Sequence, residues 1–314
     1  MTTEDRCKEV VEYAIANGDA MACDVFDIKA QTLERYRHLM ADVDIELPAT
    51  LQKIKERYTD AELKALAKGG KLTAQQMRIP NVTFEGDSVK IGVITDTHIG
   101  SDCFHDHLLM QAFEQFDKFG VDMLVHAGDV TEGLSNRPGH VYECTEIGYD
   151  AQKEKAIDLL SRWAKPSYYI DGNHDRWYVK SSGAWIVKDI CDALPNAEFL
   201  GSDEGDIYLN DTVKLRLWHG EDGSSYATSY RIQKLVEAFS GGDKPNILVC
   251  GHTHKQGQFF ERNIHCIGGG SIQLQSKWMR SKRLAAHVGF WIIEPVIAEK
   301  SVPYITSTWF PFYL

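Results

Sequence analysis

From Val89 onward the chain alternates short apolar runs of strand length with stretches of helical periodicity. KIGVIT, VDMLVHA and SYYID are three such runs, and each is followed by a helical stretch. This alternation favours parallel strands joined by crossover helices. After residue 196 the chain becomes rich in β-type runs and ends in the aromatic stretch PYITSTWFPFYL. We therefore predict an α/β domain over residues 89–314, with two mixed β-sheets packed face to face and flanked by helices.

The N-terminal part has a different pattern. Cys7, Val10, Val11, Ala14 and Ile15 form one apolar stripe at helical spacing, and Asn17-Gly18 would end that helix. AMACDVFDIKAQTLERYRHL resembles the recognition half of a helix-turn-helix, with Arg35 and Arg37 as candidate nucleic-acid contacts. A helical packing or oligomerisation module would give a similar pattern. The predicted organisation is a small all-α module over residues 1–75, which includes a further helix at 51–67, and a linker over 76–88.

Charge and cysteine content narrow the class of protein. The 314 residues include 34 Lys and Arg against 45 Asp and Glu, a net charge of -11. Such a chain lacks the general basic field of a protein that wraps duplex DNA, although a local basic groove is compatible with it. There is no apolar run long enough to cross a membrane, and seven cysteines are scattered without a Cys-x-x-Cys pair. We expect a cytoplasmic protein with reduced thiols, and a homodimer is compatible with the sequence.

Five of the predicted strands are followed directly by short polar clusters of metal-ligand residue types. The clusters are Asp96-Thr97-His98, Gly128-Asp129, Gly172-Asn173-His174-Asp175, Trp218-His219-Gly220 and Gly251-His252-Thr253-His254. Because the carboxyl ends of parallel strands meet at one rim of a sheet, these side chains should converge. Their glycines would let the backbone turn sharply and approach a bound phosphate.

Carboxylate, imidazole and amide ligands without a thiolate favour intermediate cations. Manganese is the first choice, with iron or zinc as alternatives. Two such ions about 3.5–4 Å apart stabilise both the attacking and the leaving oxygen in phosphoryl chemistry. A carboxylate must then bridge them, and Asp129 is the natural candidate.

The ordered motifs D-x-H, G-D-x-x-E, G-N-H-D, H-G and G-H-T-H resemble those of the calcineurin-like metallophosphoesterase family over about residues 89–270. By that resemblance one metal is held by Asp96, His98 and His254, the other by Asn173, His219 and His252, and Asp129 bridges them. His174 corresponds to the general acid or transition-state stabiliser, and Asp175 orients it. Glu132 stands where the family often has Asp or Asn, at a position that supports the loop.

The substrate is less constrained. TDTHIGS is similar to the first motif of SbcD-type repair nucleases, and AGDVTEGLSNRPGH is similar to a segment of the small, exonuclease subunit of archaeal D-family DNA polymerases. We therefore predict a nuclease or phosphodiesterase acting on DNA, with Arg137 and His140 as candidate substrate contacts. The basic run KWMRSKR suits a nucleic-acid backbone and a stacked base, or else is a solvated turn.

Two other functions are compatible with the sequence. A small-molecule phosphatase or cyclic-nucleotide phosphodiesterase would suit the acidic charge, which repels polymeric phosphate outside the metal pocket. The second is a DNA-binding protein without catalytic activity. The complete set of predicted ligands argues against that last alternative.

Overall fold

The computed structural model describes residues 3–39, 89–221, 223, 227–239 and 243–312. The chain divides into two compact units, residues 1–78 and 79–314. The predicted domain boundaries at residues 75 and 88, and the predicted helix at 51–67, lie outside the described residues. No helix among the described residues is long and apolar enough to span a bilayer.

The N-terminal unit contains three described helices: α1 (Thr3–Asn17), α2 (Asp19–Val25) and α3 (Ala30–Leu39). The predicted apolar stripe of α1 is buried, since Val10 and Ala14 pack with Ala22 of α2 and Leu33 of α3. α1 ends at Asn17 and Gly18 adopts a φ of 91°, a conformation that glycine reaches without steric cost. The helix, short helix and helix predicted for this segment are therefore present.

The larger unit contains a six-stranded mixed sheet with the strand order β11-β10-β1-β2-β3-β4. Its strands are β1 (Ile91–Ile94), β2 (Met123–Ala127), β3 (Ser167–Asp171), β4 (Ala197–Ser202), β10 (Gly289–Pro295) and β11 (Ile305–Pro311). β1 to β4 pair in parallel, whereas β10 and β11 join antiparallel. The first three apolar runs of the sequence thus lie side by side with their carboxyl ends at one edge.

A second, five-stranded mixed sheet has the order β5-β6-β7-β9-β8. Its strands are β5 (Glu204–Tyr208), β6 (Lys214–Trp218), β7 (Ile247–Cys250), β8 (Gln256–Glu261) and β9 (Ile264–Gly269). β6, β7 and β9 are parallel, and the two edge strands are antiparallel to their neighbours.

One apolar core joins the two sheets. Ile91 and Val93 of β1 pack in the same buried cluster as Leu215 and Leu217 of β6, because alternate residues of a strand point to the same face. Ile94, on the opposite face of β1, belongs to the cluster formed with the helices. The prediction of two mixed sheets packed face to face is therefore confirmed.

Helices cover the outer faces of both sheets. They include α4 (Asp106–Phe119), α5 (Tyr149–Leu160), α7 (Ile186–Ala193) and α8 (Tyr230–Ala238), while α6 (Arg176–Ser182) follows the loop after β3 and α9 (Lys277–Ser281) lies at the cavity described below. Phe116 of α4 packs against the six-stranded sheet, and Val236 of α8 packs against the five-stranded sheet. This layering leaves the carboxyl-end edge of the strands open.

Candidate metal centre

The loops that follow β1, β2, β3, β6 and β7 meet at this open edge. Hydrogen bonds connect them: His98 N–H donates to the carbonyl of Asp129 at 3.0 Å within one sheet, and His252 N–H, from the other sheet, donates to Asp96 Oδ1 at 3.0 Å. The two sheets therefore contribute loops to one site. All seven predicted metal ligands lie in it, as three sets of contacts.

The first set consists of Asp96, His98 and His254. His254 Nε2 lies 3.3 Å from Asp96 Oδ1 and 3.3 Å from His98 Nε2. All three side chains are at most 9% exposed. The set holds one carboxylate and two imidazoles whose ring nitrogens converge, as the sequence predicts.

The second set consists of Asn173, His219 and His252. The amide oxygen of Asn173 lies 3.2 Å from His219 Nε2 and 2.8 Å from His252 Nδ1. These residues come from the loops after β3, β6 and β7. Both sheets contribute to this set.

Asp129 lies between the two sets. Its Oδ2 atom is 3.6 Å from His98 Nε2 and 3.1 Å from His219 Nε2, while Oδ1 accepts a hydrogen bond from the His174 amide at 2.8 Å. Burial alone would raise the pKa of this carboxyl, but the positive field of His219 and His174 lowers it well below its usual value. One ionised oxygen thus faces both sets, as a bridging ligand requires.

Hydrogen bonds from Nδ1, the ring nitrogen that faces away from the site, fix the ring orientations of two histidines. His219 Nδ1 donates to the carbonyl of Ala127 at 2.7 Å, and His98 Nδ1 donates to Glu132 Oε2 at 3.0 Å. Each hydrogen bond fixes the tautomer and turns Nε2 toward the site, which is the arrangement of metal-ligating histidines. Burial alone would lower the pKa of His219, but the charge of Asp129 and its hydrogen bond raise it to about 10.

The backbone at these positions adopts an uncommon conformation. Five of the seven predicted ligands have positive φ angles near 50–70° although none is glycine: Asp96, His98, Asp129, His252 and His254. Such conformations persist only where the surrounding structure stabilises them, and they concentrate at functional sites. The tight turns after the strands are therefore built to point these side chains at one place.

Two glycines are required by close packing at the same turns. A Cβ at Gly128, whose φ is 90°, would lie 2.5 Å from His219 Nδ1, and a Cβ at Gly172 would collide with the Asp129 carboxylate. Glycine at these two positions therefore lets the loop after β2 lie close to His219, which follows β6, and lets the loop after β3 lie close to Asp129.

His174 lies beside Asp129 and is held by Glu132. Its Nδ1 donates to the main-chain carbonyl of Glu132 at 2.8 Å, and its ring lies 4.0 Å, centroid to centroid, from the Trp177 ring. Nε2 has no hydrogen-bond partner among the described residues. Burial alone would lower the pKa of His174, but the charges of Asp129 and Glu132 raise it. The free ring nitrogen belongs to a side chain that lines the cavity, so it is available at the site.

Asp175 does not orient His174, contrary to the sequence-based expectation. Its carboxylate accepts hydrogen bonds from the backbone amides of Val130, Thr131 and Gly172 at 2.8–3.0 Å. The Asp175 carboxylate is therefore hydrogen-bonded to backbone amides at the start of two turns rather than to the ring of His174. Asp175 therefore ties the loop after β2 to the loop after β3.

His140 also differs from expectation. It is completely buried, its Nδ1 accepts from the Ser135 amide at 3.1 Å, and its Nε2 donates to Glu132 Oε1 at 2.9 Å. Both ring nitrogens are engaged inside the loop, so the position does not fit the predicted contact with substrate. His140 supports Glu132 instead.

Of the other residues predicted to contact substrate or DNA, Arg137 is held in an ion pair, and Arg35 and Arg37 belong to the N-terminal unit. Arg137 forms a two-pronged ion pair with Glu143, at 2.6 and 3.2 Å. In the N-terminal unit Arg37 pairs with Asp19, whereas Arg35 is exposed. Arg37 would have to release Asp19 before it could bind a phosphate.

Glu132 is the residue whose importance sequence reasoning underestimated. It is 4% exposed, contacts His98 and His140, and accepts from Gln273 Nε2 at 3.2 Å. Burial alone would raise its pKa, but the charge of His174 and the hydrogen bonds from His140 and His98 lower it well below its usual range. The G-D-x-x-E spacing locates Glu132, but no local signal identifies Gln273.

A cavity of about 480 Å³ opens onto the site. Its lining includes Asp129, Asn173, His174, His252 and His254. The lining also includes Trp278, Met279 and Lys282 of the basic run noted in the sequence, followed by Leu284 and Ala285. A phosphoester entering this cavity would reach both donor sets.

The chemistry of the donors fits a pair of divalent cations. Carboxylate and imidazole donor atoms of Asp96, His98 and His254, and of Asp129, His219 and His252, lie within 4.8 Å of one another in each set, and most of these side chains are buried. Buried ionisable groups are costly unless they are paired or coordinate a metal. Nitrogen and oxygen donors without thiolate suit manganese, iron or zinc.

Two face-to-face mixed sheets with these donor sets at the carboxyl ends of their strands define a metallohydrolase-type fold with a candidate dinuclear centre. The chain belongs to the calcineurin-like phosphoesterase family, whose model matches residues 89–256, more than half of its length. This confirms the resemblance drawn from the five motifs.

Two curated relatives are DNA polymerase II small subunits. The one from Archaeoglobus fulgidus is 25% identical over 273 residues, covering 70% of this chain and 54% of that protein. The one from Methanothermobacter thermautotrophicus is 24% identical, covering 64% of this chain and 51% of that protein. The chain thus spans about half the length of these relatives.

Solved structures with a similar arrangement include a novel archaeal phosphodiesterase, at 19% identity and a TM-score of 0.41, covering 71% of this chain and all of that one. A phosphoesterase from E. coli matches at 18% identity and a TM-score of 0.40, covering 69% of this chain and 98% of that one.

Proposed function

We propose that this protein is a dinuclear-metal-dependent phosphodiester hydrolase that acts on DNA. The observation that carries the proposal is the position of Asp129, whose Oδ2 faces His98 on one side and His219 on the other. A carboxylate between two donor sets is what a pair of metal ions requires.

Asp96, His98 and His254 would hold one ion, Asn173, His219 and His252 would hold the other, and Asp129 would serve both. When bound, the two ions supply Lewis acidity toward the attacking and leaving oxygens of a phosphodiester. The first choice is manganese, with iron or zinc as alternatives.

His174 would act on the leaving oxygen. Its Nδ1 is fixed by the carbonyl of Glu132, so a proton on Nε2 points into the cavity where the scissile phosphate would lie. A positioned general acid typically contributes about 10²–10⁴-fold to the rate. Asp175 contributes by holding together the loops that carry Asp129 and His174.

DNA as the substrate is supported by two independent observations. The named curated relatives are DNA polymerase small subunits. The cavity is walled by Trp278 and Lys282, side chains suited to a base and a phosphate. Neither feature is needed by an enzyme that hydrolyses a small phosphomonoester.

The direct test is hydrolysis of bis(p-nitrophenyl) phosphate, p-nitrophenyl phosphate and labelled single- and double-stranded DNA by metal-stripped protein reloaded with manganese, zinc or iron. We expect the diester and DNA to be cleaved faster than the monoester, and the stripped protein to be inactive. Preference for the monoester would instead support a small-molecule phosphatase, an alternative that the net charge of -11 favours.

A DNA-binding protein without catalytic activity is the second alternative, and the names of the polymerase small subunits favour it. It predicts metal binding without turnover of any of the four substrates. DNA binding that survives removal of the metals would strengthen that alternative.

A further inference from the structure

Part of the cavity wall is a compact turn built on α9. Ser276 caps the helix by accepting a hydrogen bond from the Met279 amide at 3.1 Å, and Leu284 N–H donates to the carbonyl of Met279 at 2.9 Å. Gln275 Nε2 donates to the carbonyl of Leu284 at 2.6 Å, and Met279 is 5% exposed. The turn is therefore closed by its own hydrogen bonds, with Met279 buried beneath it.

Trp278 lies on this turn with its indole against the cavity. It is 46% exposed, and it has no aromatic partner among the described residues. An indole left half in water on a rigid turn offers a flat apolar face to any planar group that enters. The cavity also includes Leu284 and Ala285, so this side is apolar where the metal side is polar.

The charge around Trp278 departs sharply from that of the whole chain. No Asp or Glu occurs between Glu261 and Glu294, although the chain has a net charge of -11. The turn itself carries four cations that have no ion pair among the described residues, namely Lys277, Arg280, Lys282 and Arg283. Lys282 also lines the cavity. Uncompensated cations beside an unpaired indole are the arrangement that binds a nucleotide backbone and its base together.

We propose that residues 276–285 form a nucleotide subsite, in which Trp278 stacks on an unpaired nucleobase next to the scissile phosphodiester and Lys282 contacts a neighbouring phosphate. This inference rests on the proposed function and adds a preference for unpaired DNA. The nucleobase must be unstacked to reach Trp278, so single-stranded DNA or a frayed end is the preferred ligand. Stacking is tolerant of sequence, because every base has a planar face.

Binding tests the subsite without requiring turnover. Fluorescence anisotropy would measure the affinity of the full-length protein for a labelled oligo(dT) of twelve nucleotides and for an abasic oligonucleotide of the same length. Trp278→Ala should weaken oligo(dT) binding by about 5- to 150-fold and abasic binding much less, with Trp278→Phe restoring most of the affinity. Lys282→Gln should weaken both ligands to a similar degree. Trp185→Ala, at a comparably exposed tryptophan outside the cavity, and Lys300→Gln are the matched controls.

Equal loss of affinity for the two oligonucleotides in Trp278→Ala would overturn the stacking role, and unchanged affinity for both would overturn the subsite. A complementary duplex that binds as tightly as oligo(dT), with the same dependence on Trp278, would overturn the requirement for an unpaired base. A kinetic comparison of thymidine 5'-(p-nitrophenyl phosphate) with ethyl p-nitrophenyl phosphate separates this inference from the proposed function. Absence of turnover of both esters contradicts the hydrolase, whereas a nucleotide-to-ethyl rate ratio that Trp278→Ala leaves unchanged contradicts the subsite.

Discussion

Glu132 Oε1 lies 2.9 Å from Nε2 of His140, and both side chains are buried behind the candidate metal centre. The other carboxylate oxygen of Glu132 accepts from His98, and its carbonyl accepts from His174. One residue therefore sets the orientation of a proposed metal ligand and of the proposed acid. His140 donates a hydrogen bond to the Glu132 carboxylate and so stabilises its negative charge.

Replacing Glu132 with Gln should impair the site without removing any proposed ligand. His98 and His140 donate to different carboxylate oxygens of Glu132, and the amide keeps only one acceptor oxygen, so at least one of the two rings should lose its fixed orientation. We expect a loss of about 10- to 100-fold in metal affinity or diester turnover. Metal titration and steady-state kinetics would measure it, with Glu154→Gln on the exposed face of α5 as the control. Wild-type values for both quantities would contradict the positioning role.

Asp129→Asn should abolish diester hydrolysis and reduce the bound metal. A neutral amide cannot neutralise two dications as a carboxylate does, and Oδ2 of Asp129 is the atom between the two donor sets. Elemental analysis of the purified variant, alongside the diester assay, gives the result. Full activity with two metals retained would refute the bridging assignment.

His174→Asn should keep both metals and lose about 10²–10⁴-fold in turnover, because a general acid is removed while the donor sets stay intact. The measurement is metal content together with kcat. His98, Asp129 and His174 also lie close enough to hold an ion. A collapse of metal content in the variant would mean that His174 is a ligand instead.

Metal affinity should increase as the pH rises. His219 has a pKa raised to about 10 in the metal-free site, so below that pH its proton must leave before the ring can coordinate an ion. For each proton released on binding, the metal affinity should rise by up to about tenfold per pH unit. Calorimetric titration with manganese in buffers of different ionisation enthalpy counts the protons. Affinity that is constant between pH 6.5 and 8.5 would contradict this coupling.

Deleting residues 1–75 tests whether the N-terminal module binds DNA. All proposed ligands lie at or beyond Asp96, so turnover of a small diester should be nearly unchanged. DNA affinity should fall and its salt dependence should become shallower, since fewer cations displace counterions. Arg35→Gln should have a larger effect than Arg37→Gln, because Arg37 is paired with Asp19.

Residues 1–70 contain more acidic than basic residues, so the module gains no general attraction to DNA. Identical salt titrations for the full-length and truncated proteins would show that the module serves packing or assembly.

The sequence by itself determined the fold class and the seven candidate ligands. Strand-length apolar runs followed by glycine-bounded polar clusters are local patterns, and parallel pairing brings the ends of such strands to one edge whatever the details of packing. The positions of Asp96, Asp129 and His252 could therefore be inferred without coordinates.

Only the tertiary structure decided which groups stand around those ligands. Glu132 meets Gln273 across 141 residues of chain, and His140 is buried by a fold of its own loop. Trp278 lines the same cavity as His252 and His254, although it lies more than twenty residues further along the chain. Contacts of this kind depend on how loops from different strands pack against each other, and periodicity along the chain carries no information about that packing.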